Sequence, residues 1–180
     1  LDSFLKILFE SISIVCVNVF VLISGWFGIK PSVKGILNFL FQCLFFLTGL
    51  YIITILIGIN TISIKGLAGC IFATKLNWFI KAYLLLYIIS PILNQFVNNA
   101  SRKEYKYVLI GFFLFTCTYG WIGAAEFMMQ GYSTIWFIGL YLLARYTKIY
   151  TPFWSKLHIK YDIAIYLLTI LIACIITFIP

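Results

Sequence analysis

The sequence predicts an all-α membrane protein, a polytopic bundle of helices, and three observations predict it. Of 180 residues, 63% are hydrophobic and 10% charged, against about a quarter charged in a typical soluble domain. The mean hydropathy is +1.07. Apolar runs of roughly 20 residues, the length at which a helix crosses a ~30 Å hydrocarbon core, recur along the chain and leave no room for a soluble domain. Residues 1–180 therefore read as one transmembrane domain. The chain begins at Leu1 without a methionine and ends at Pro180 inside an apolar run, so it reads as a fragment, incomplete at both ends and without a signal-peptide pattern at its start.

Six spans are expected, at about 11–28, 36–60, 77–97, 107–125, 132–147 and 161–180. The first holds Asn18 near its middle and ends in "ISGWFGIK", where Ser24, Gly25 and Gly28 let another backbone approach closely. A buried Asn18 needs a polar partner inside the bundle. The break "GIKPSVKG" leads to the second span. From Asn60 to Leu76 the chain is apolar but too short to cross twice, and reads either as a re-entrant segment or as a loop in the head-group layer.

The third span, "WFIKAYLLLYIISPILN", carries the most unusual pattern. On a helix Tyr83, Tyr87, Ser90, Asn94 and Asn98 recur at intervals of three or four and form one polar stripe. Polar groups facing lipid are costly, so the stripe should face other helices or a wet cavity. It is either helix-to-helix glue or the lining of an intramembrane route. Lys81 lies in the first turn and can snorkel outward; Pro91 removes one backbone donor.

The fourth span ends near Glu126, which would accept a proton, bind a sugar hydroxyl, or stand exposed at the interface. In the fifth, Tyr141, Arg145 and Lys148 share one face. With Lys30 and Lys34 they form a set of cations suited either to an anionic cosubstrate or to lipid phosphate. Before the sixth span lies His158, the only histidine, without a nucleophile or orienting group nearby in sequence.

Charge sets the topology. Lys30, Lys34, Arg102, Lys103, Lys106, Arg145, Lys148, Lys156 and Lys160, nine of 13 basic residues, fall on one side. The positive-inside rule makes that side cytoplasmic and places Leu1 outside. The net charge of +8 is scattered between apolar runs, which argues against nucleic acid. The sequon at Asn99 falls on the cytoplasmic side and is discounted. Cys16, Cys43, Cys70, Cys117 and Cys174 have no metal-ligand spacing and read as small packing residues, and no metal is implied.

Three segments taken in order, "NVFVLISGWFGIK", "WFIKAYLLLYIISPILN" and "GYSTIWFIGLYLLARYTKIY", resemble the acyltransferase 3 family of bacterial membrane O-acyltransferases, especially those found near surface-polysaccharide genes. The similarity covers nearly the whole chain, but only the middle of a family member, which has about ten spans. The resemblance implies a multi-pass protein of the bacterial inner membrane. Such a protein would move an acyl group, commonly acetyl, from cytoplasmic acyl-CoA to a hydroxyl of a surface polysaccharide or glycolipid. Acyl-CoA would be a cosubstrate, no cofactor being permanently bound, and the partners would be membrane lipid and the glycan or lipid-linked sugar acceptor. Lys30, Lys34, Arg145 and Lys148 would then hold the CoA phosphates. Trp78, Tyr83, Tyr87, Ser90, Asn94 and Tyr141 would line the route between donor and acceptor.

Two departures from the family pattern matter. The family's catalytic histidine belongs to a span upstream of residue 1, and His158 does not match it, so no catalytic residue is assigned and the fragment by itself is expected to be inactive. Where the family has paired arginines, this chain has Lys30 and Lys34, which lack the guanidinium fork. The alternative reading is a lipid-linked sugar flippase or polysaccharide exporter, which would also use polar stripes and aromatic platforms but no acyl-CoA. A third is an assembly subunit without a ligand.

Overall fold

The computed structural model describes residues 15–71, 78–122 and 133–178. Among these the chain is all-helical, without strands. The α-helices, in chain order, are α1 (Cys16–Phe27), α2 (Val33–Leu56), α3 (Ile64–Ile71), α4 (Trp78–Asn99), α5 (Arg102–Ile122), α6 (Thr134–Tyr150) and α7 (Ile159–Phe178), with a 3₁₀ turn at Phe153–Lys156. Within the described residues, each of the six expected segments coincides with a helix; residues 11–14, 77, 123–125, 132 and 179–180 of those segments lie outside them. The short α3 occupies the stretch read as re-entrant or interfacial.

The helix ends follow from local chemistry. Gly28 stops α1 at φ 77°, its N–H donating to the Ser24 and Gly25 carbonyls. Pro31 keeps the chain extended, and the Ser32 hydroxyl caps α2 by accepting from the Gly35 N–H at 3.0 Å. Ser133 caps α6 in the same way, accepting from the Trp136 N–H at 3.3 Å. α5 starts at Arg102, five residues before the expected span. There the Ser101 N–H donates to the Glu104 carboxylate at 2.8 Å and the Glu104 N–H donates to Ser101 Oγ at 3.3 Å, a reciprocal capping box.

α6 is the central element. Phe137, Gly139, Leu140, Tyr141, Leu142, Ala144 and Tyr146 are all buried on it, and α1, α4 and α5 pack around it. The α1 contact is close because a Cβ on Gly25 would lie 2.8 Å from both Ala144 Cβ and the Tyr141 carbonyl oxygen. Gly139 admits the Phe112 ring from α5 in the same manner. Asn18, at mid-α1, accepts from Trp136 Nε1 at 3.2 Å, which supplies the polar partner it requires.

Among the described residues two helices, α2 and α4, are long and apolar enough to cross a membrane, with mean hydropathies of 2.2 and 1.4 over their most apolar stretches. They differ in surroundings. No residue of α2 is buried, whereas a third of that stretch of α4 is. Beyond α2, the Tyr51 hydroxyl accepts from the Ser63 N–H at 3.2 Å and lies against Gly66, tying α3 to the end of α2.

Two of the cysteines depart from expectation, while the side chains of Cys70 and Cys174 lie outside what is described. Cys16 and Cys117 are exposed and Cys43 is half-buried. The thiols of Cys16 and Cys117 stand on outward helix faces, so these two do not fill gaps between helices.

Candidate functional site

The polar stripe of α4 faces inward from Tyr83 to Asn94, and two of its members, Tyr87 and Asn94, bind the backbone groups of the Gly28–Ser32 turn. Ile29 is buried, at 7% exposure. A buried turn inside a helix bundle must have its N–H and C=O groups paired, because neither lipid nor packed side chains supply partners. Ile29 meets this need through a closed ring of three side-chain bonds. Its N–H donates to Tyr141 Oη at 3.2 Å, Tyr141 Oη donates to Asn94 Oδ1 at 2.6 Å, and Asn94 Nδ2 donates to the Ile29 carbonyl at 2.8 Å. Two turns earlier on α4, Tyr87 completes the clamp. Its hydroxyl accepts from the Ser32 N–H and donates to the Lys30 carbonyl, each at 3.2 Å. Gly35 makes this possible, because a Cβ there would collide with the Tyr87 hydroxyl.

Two further stripe residues, Tyr83 and Ser90, have partners of their own. The Tyr83 and Ser24 hydroxyls are bonded at 3.1 Å, linking α4 to α1. Ser90 is fully buried and donates to the Tyr87 carbonyl at 2.7 Å. Asn98 is exposed at the end of the helix. Trp78 is half-buried, edge-on to Phe79 at 6.0 Å between ring centroids and tilted against Phe137 at 6.3 Å.

Arg145 reaches the same turn from α6, and Lys148 reaches the end of α1 just before it. The Arg145 guanidinium lies over Gly28, where a Cβ would be 3.0 Å from Nη1. Its positive charge is also felt at Tyr105, whose phenol burial pushes well up while the guanidinium opposes the rise. Lys148 Nζ stands over the rings of Trp26 and Phe27, 5.9 and 5.7 Å from their centroids. Lys30 and Lys34 are exposed, the first on the turn and the second in the first turn of α2. The turn thus collects Tyr87, Asn94, Tyr141, Arg145 and Lys30, with Lys148 beside it at the end of α1; Trp78 lies toward the other end of α4.

Several features lie elsewhere. His158 is exposed and its Nδ1 accepts from the Lys160 N–H at 3.3 Å. Ser101, the last residue of the sequon, is engaged in the capping box. Glu126 lies outside the described residues. At the far end of α2, an apolar cavity of about 280 Å³ is lined by Tyr51, Ile55, Leu56, Ile64 and neighbouring residues, none of them charged.

The sequence alone did not reveal that the stripe serves the backbone of the turn. The available signal was Pro31 and Gly28 beside a buried apolar Ile29, a turn with polar backbone groups to satisfy. Comparison with protein-family models, curated proteins and solved structures found no match.

Proposed function

We propose that the chain belongs to a multi-pass O-acyltransferase of the bacterial inner membrane, of the acyltransferase 3 type, with six spans in this part of it. It would transfer an acyl group, most simply acetyl, from cytoplasmic acyl-CoA to a hydroxyl of a surface polysaccharide or glycolipid. The thioester C–S bond breaks and an ester C–O bond forms, the CoA thiol leaves, and a general base takes the sugar hydroxyl proton. No residue of this chain is assigned that base.

One observation supports the reading above the others. The three segments that carry the resemblance, remote in sequence, meet at a single turn. "GWFGIK" supplies the turn, "WFIKAYLLLYIISPILN" supplies Tyr87 and Asn94, and "GYSTIWFIGLYLLARYTKIY" supplies Tyr141 and Arg145. In this reading the clamp fixes the cations Lys30 and Arg145 at the donor side, Lys34 and Lys148 stand by as further phosphate contacts, and the stripe from Trp78 through Tyr83 and Ser90 leads toward the acceptor.

The test is chemical analysis of the surface glycan from cells with the gene deleted and then restored. Loss of O-acyl groups on deletion and their return on complementation supports acyl transfer. Glycan of unchanged acylation but reduced export would replace this reading with the flippase one.

A further inference from the structure

Arg145 Nε is the one buried side-chain nitrogen or oxygen without a hydrogen bond among the described residues. No ion pair compensates it there either, since the acids in this set, Glu104 and Asp162, occupy the first turns of α5 and α7. A partly buried cation left without an anion is costly unless a ligand supplies one. Gly28 shapes the place. With φ at +77° and a virtual Cβ 3.0 Å from Nη1 and 3.3 Å from Cζ, it leaves the guanidinium against bare backbone where a side chain would crowd it.

Two more cations flank this position. Lys148 follows Arg145 by three residues on the same face of α6, held over Trp26 and Phe27. Lys30 is two residues beyond Gly28, at most about 7 Å along the chain. Three positive charges without an acid suit a multiply charged anion better than a single carboxylate. A guanidinium grips two phosphate oxygens as a fork, and lysines add point charges around it.

We propose that Arg145, laid against the backbone of Gly28 and flanked by Lys30 and Lys148, holds a phosphate group. The inference rests on the donor reading above and sharpens it: of the four cations, Arg145 makes the forked contact, Lys30 and Lys148 add charge, and Lys34 stays outside. A water-soluble phosphomonoester and an anionic lipid headgroup present the same chemistry, so the test has two arms.

The intact protein in phosphatidylcholine nanodiscs is titrated calorimetrically with adenosine 3′,5′-bisphosphate. In parallel, nanodiscs containing phosphatidylglycerol are analysed for lipid retained by the protein in native mass spectrometry. Wild type should bind in at least one arm. Arg145→Gln should weaken that binding by about tenfold or more, as loss of a charge-assisted bond requires, and Lys30→Gln severalfold. Nucleotide binding identifies a soluble phosphate ligand; lipid retention alone identifies a headgroup. The proposal is overturned by absence of binding to wild type in both arms, or by equal binding to Arg145→Gln. Should Arg145→Gln not fold, unchanged binding to the exposed-site variant Lys30→Gln overturns it instead. Phosphate binding that depends on Arg145 without any acyl transfer would remove the acyltransferase reading alone. Acyl transfer undiminished in Arg145→Gln would remove the phosphate site alone.

Discussion

Replacing Tyr141 by phenylalanine removes one oxygen atom and tests whether the stripe holds the turn. Tyr141 is fully buried, so the substitution changes neither shape nor apolar packing. It deletes the 3.2 Å bond from the Ile29 N–H and the 2.6 Å bond to Asn94 Oδ1. Interhelical side-chain bonds in membranes average only ~0.6 kcal/mol, because their partners find substitutes in the unfolded, inserted state. Here substitution is restricted on the folded side, because the Ile29 N–H that donates to the hydroxyl is fixed in a buried turn. A stranded buried group costs about 1–3 kcal/mol, which sets the expected loss. The assay is denaturant unfolding in mixed micelles, with Tyr107→Phe as the control. Tyr107 is 72% exposed, and its change should stay within about 0.5 kcal/mol. A Tyr141→Phe loss no larger than that of the control would refute the claim that the hydroxyl holds the turn.

Further outcomes follow from the same contacts. In a double-mutant cycle, Tyr141→Phe and Asn94→Leu should be coupled by about 0.5–3 kcal/mol, as members of one network, and strict additivity would show that the ring of bonds is not cooperative. Gly25→Leu should force α1 from α6 and cost about 1–3 kcal/mol or more. Adding Ala144→Gly should restore only part of this, since the Tyr141 carbonyl also lies 2.8 Å from the new Cβ; full restoration in unfolding experiments would contradict the close approach. The hydrogen bonds of Ser101, side chain first, hold the Glu104 carboxyl below its ordinary value of 4.5. Its contribution to the α5 cap is therefore fully present above that value and fades as pH falls through the lower folded value. Protection of the amides at the start of α5, taken relative to their intrinsic exchange rates, should fall on acidification in wild type but not in Glu104→Gln, and identical pH profiles would count against the capping box.

Much of the helical framework was legible because it depends on local pattern. Apolar run length located the helices, and the three-and-four spacing of Tyr83, Tyr87, Ser90 and Asn94 placed them on one inward-facing stripe. The Asn18 requirement for a partner was equally plain, although nothing local named Trp136, 118 residues away. What the stripe binds was hidden for the same reason. The contact from Ile29 to Tyr141 spans 112 residues and goes to backbone atoms that every sequence contains. The start of α5 was readable, since Ser101 and Glu104 stand at capping-box spacing, but the apolar run begins later and drew the boundary with it. Cys16 and Cys117 failed in the opposite direction. Burial statistics from water-soluble proteins do not carry over to apolar helices such as α1 and α5, whose outward faces also carry apolar residues, including Val19, Ile23 and Leu114.

The central claim is that this architecture serves acyl transfer across a membrane, and one measurement addresses it most directly. Acetyl-CoA labelled in the acetyl group is supplied to the cytoplasmic face of membranes containing the intact protein and its glycan. The account predicts label in the surface glycan as an alkali-labile ester, reduced in Tyr141→Phe in step with the loosened turn. Folded wild-type protein that leaves the glycan unlabelled would contradict it.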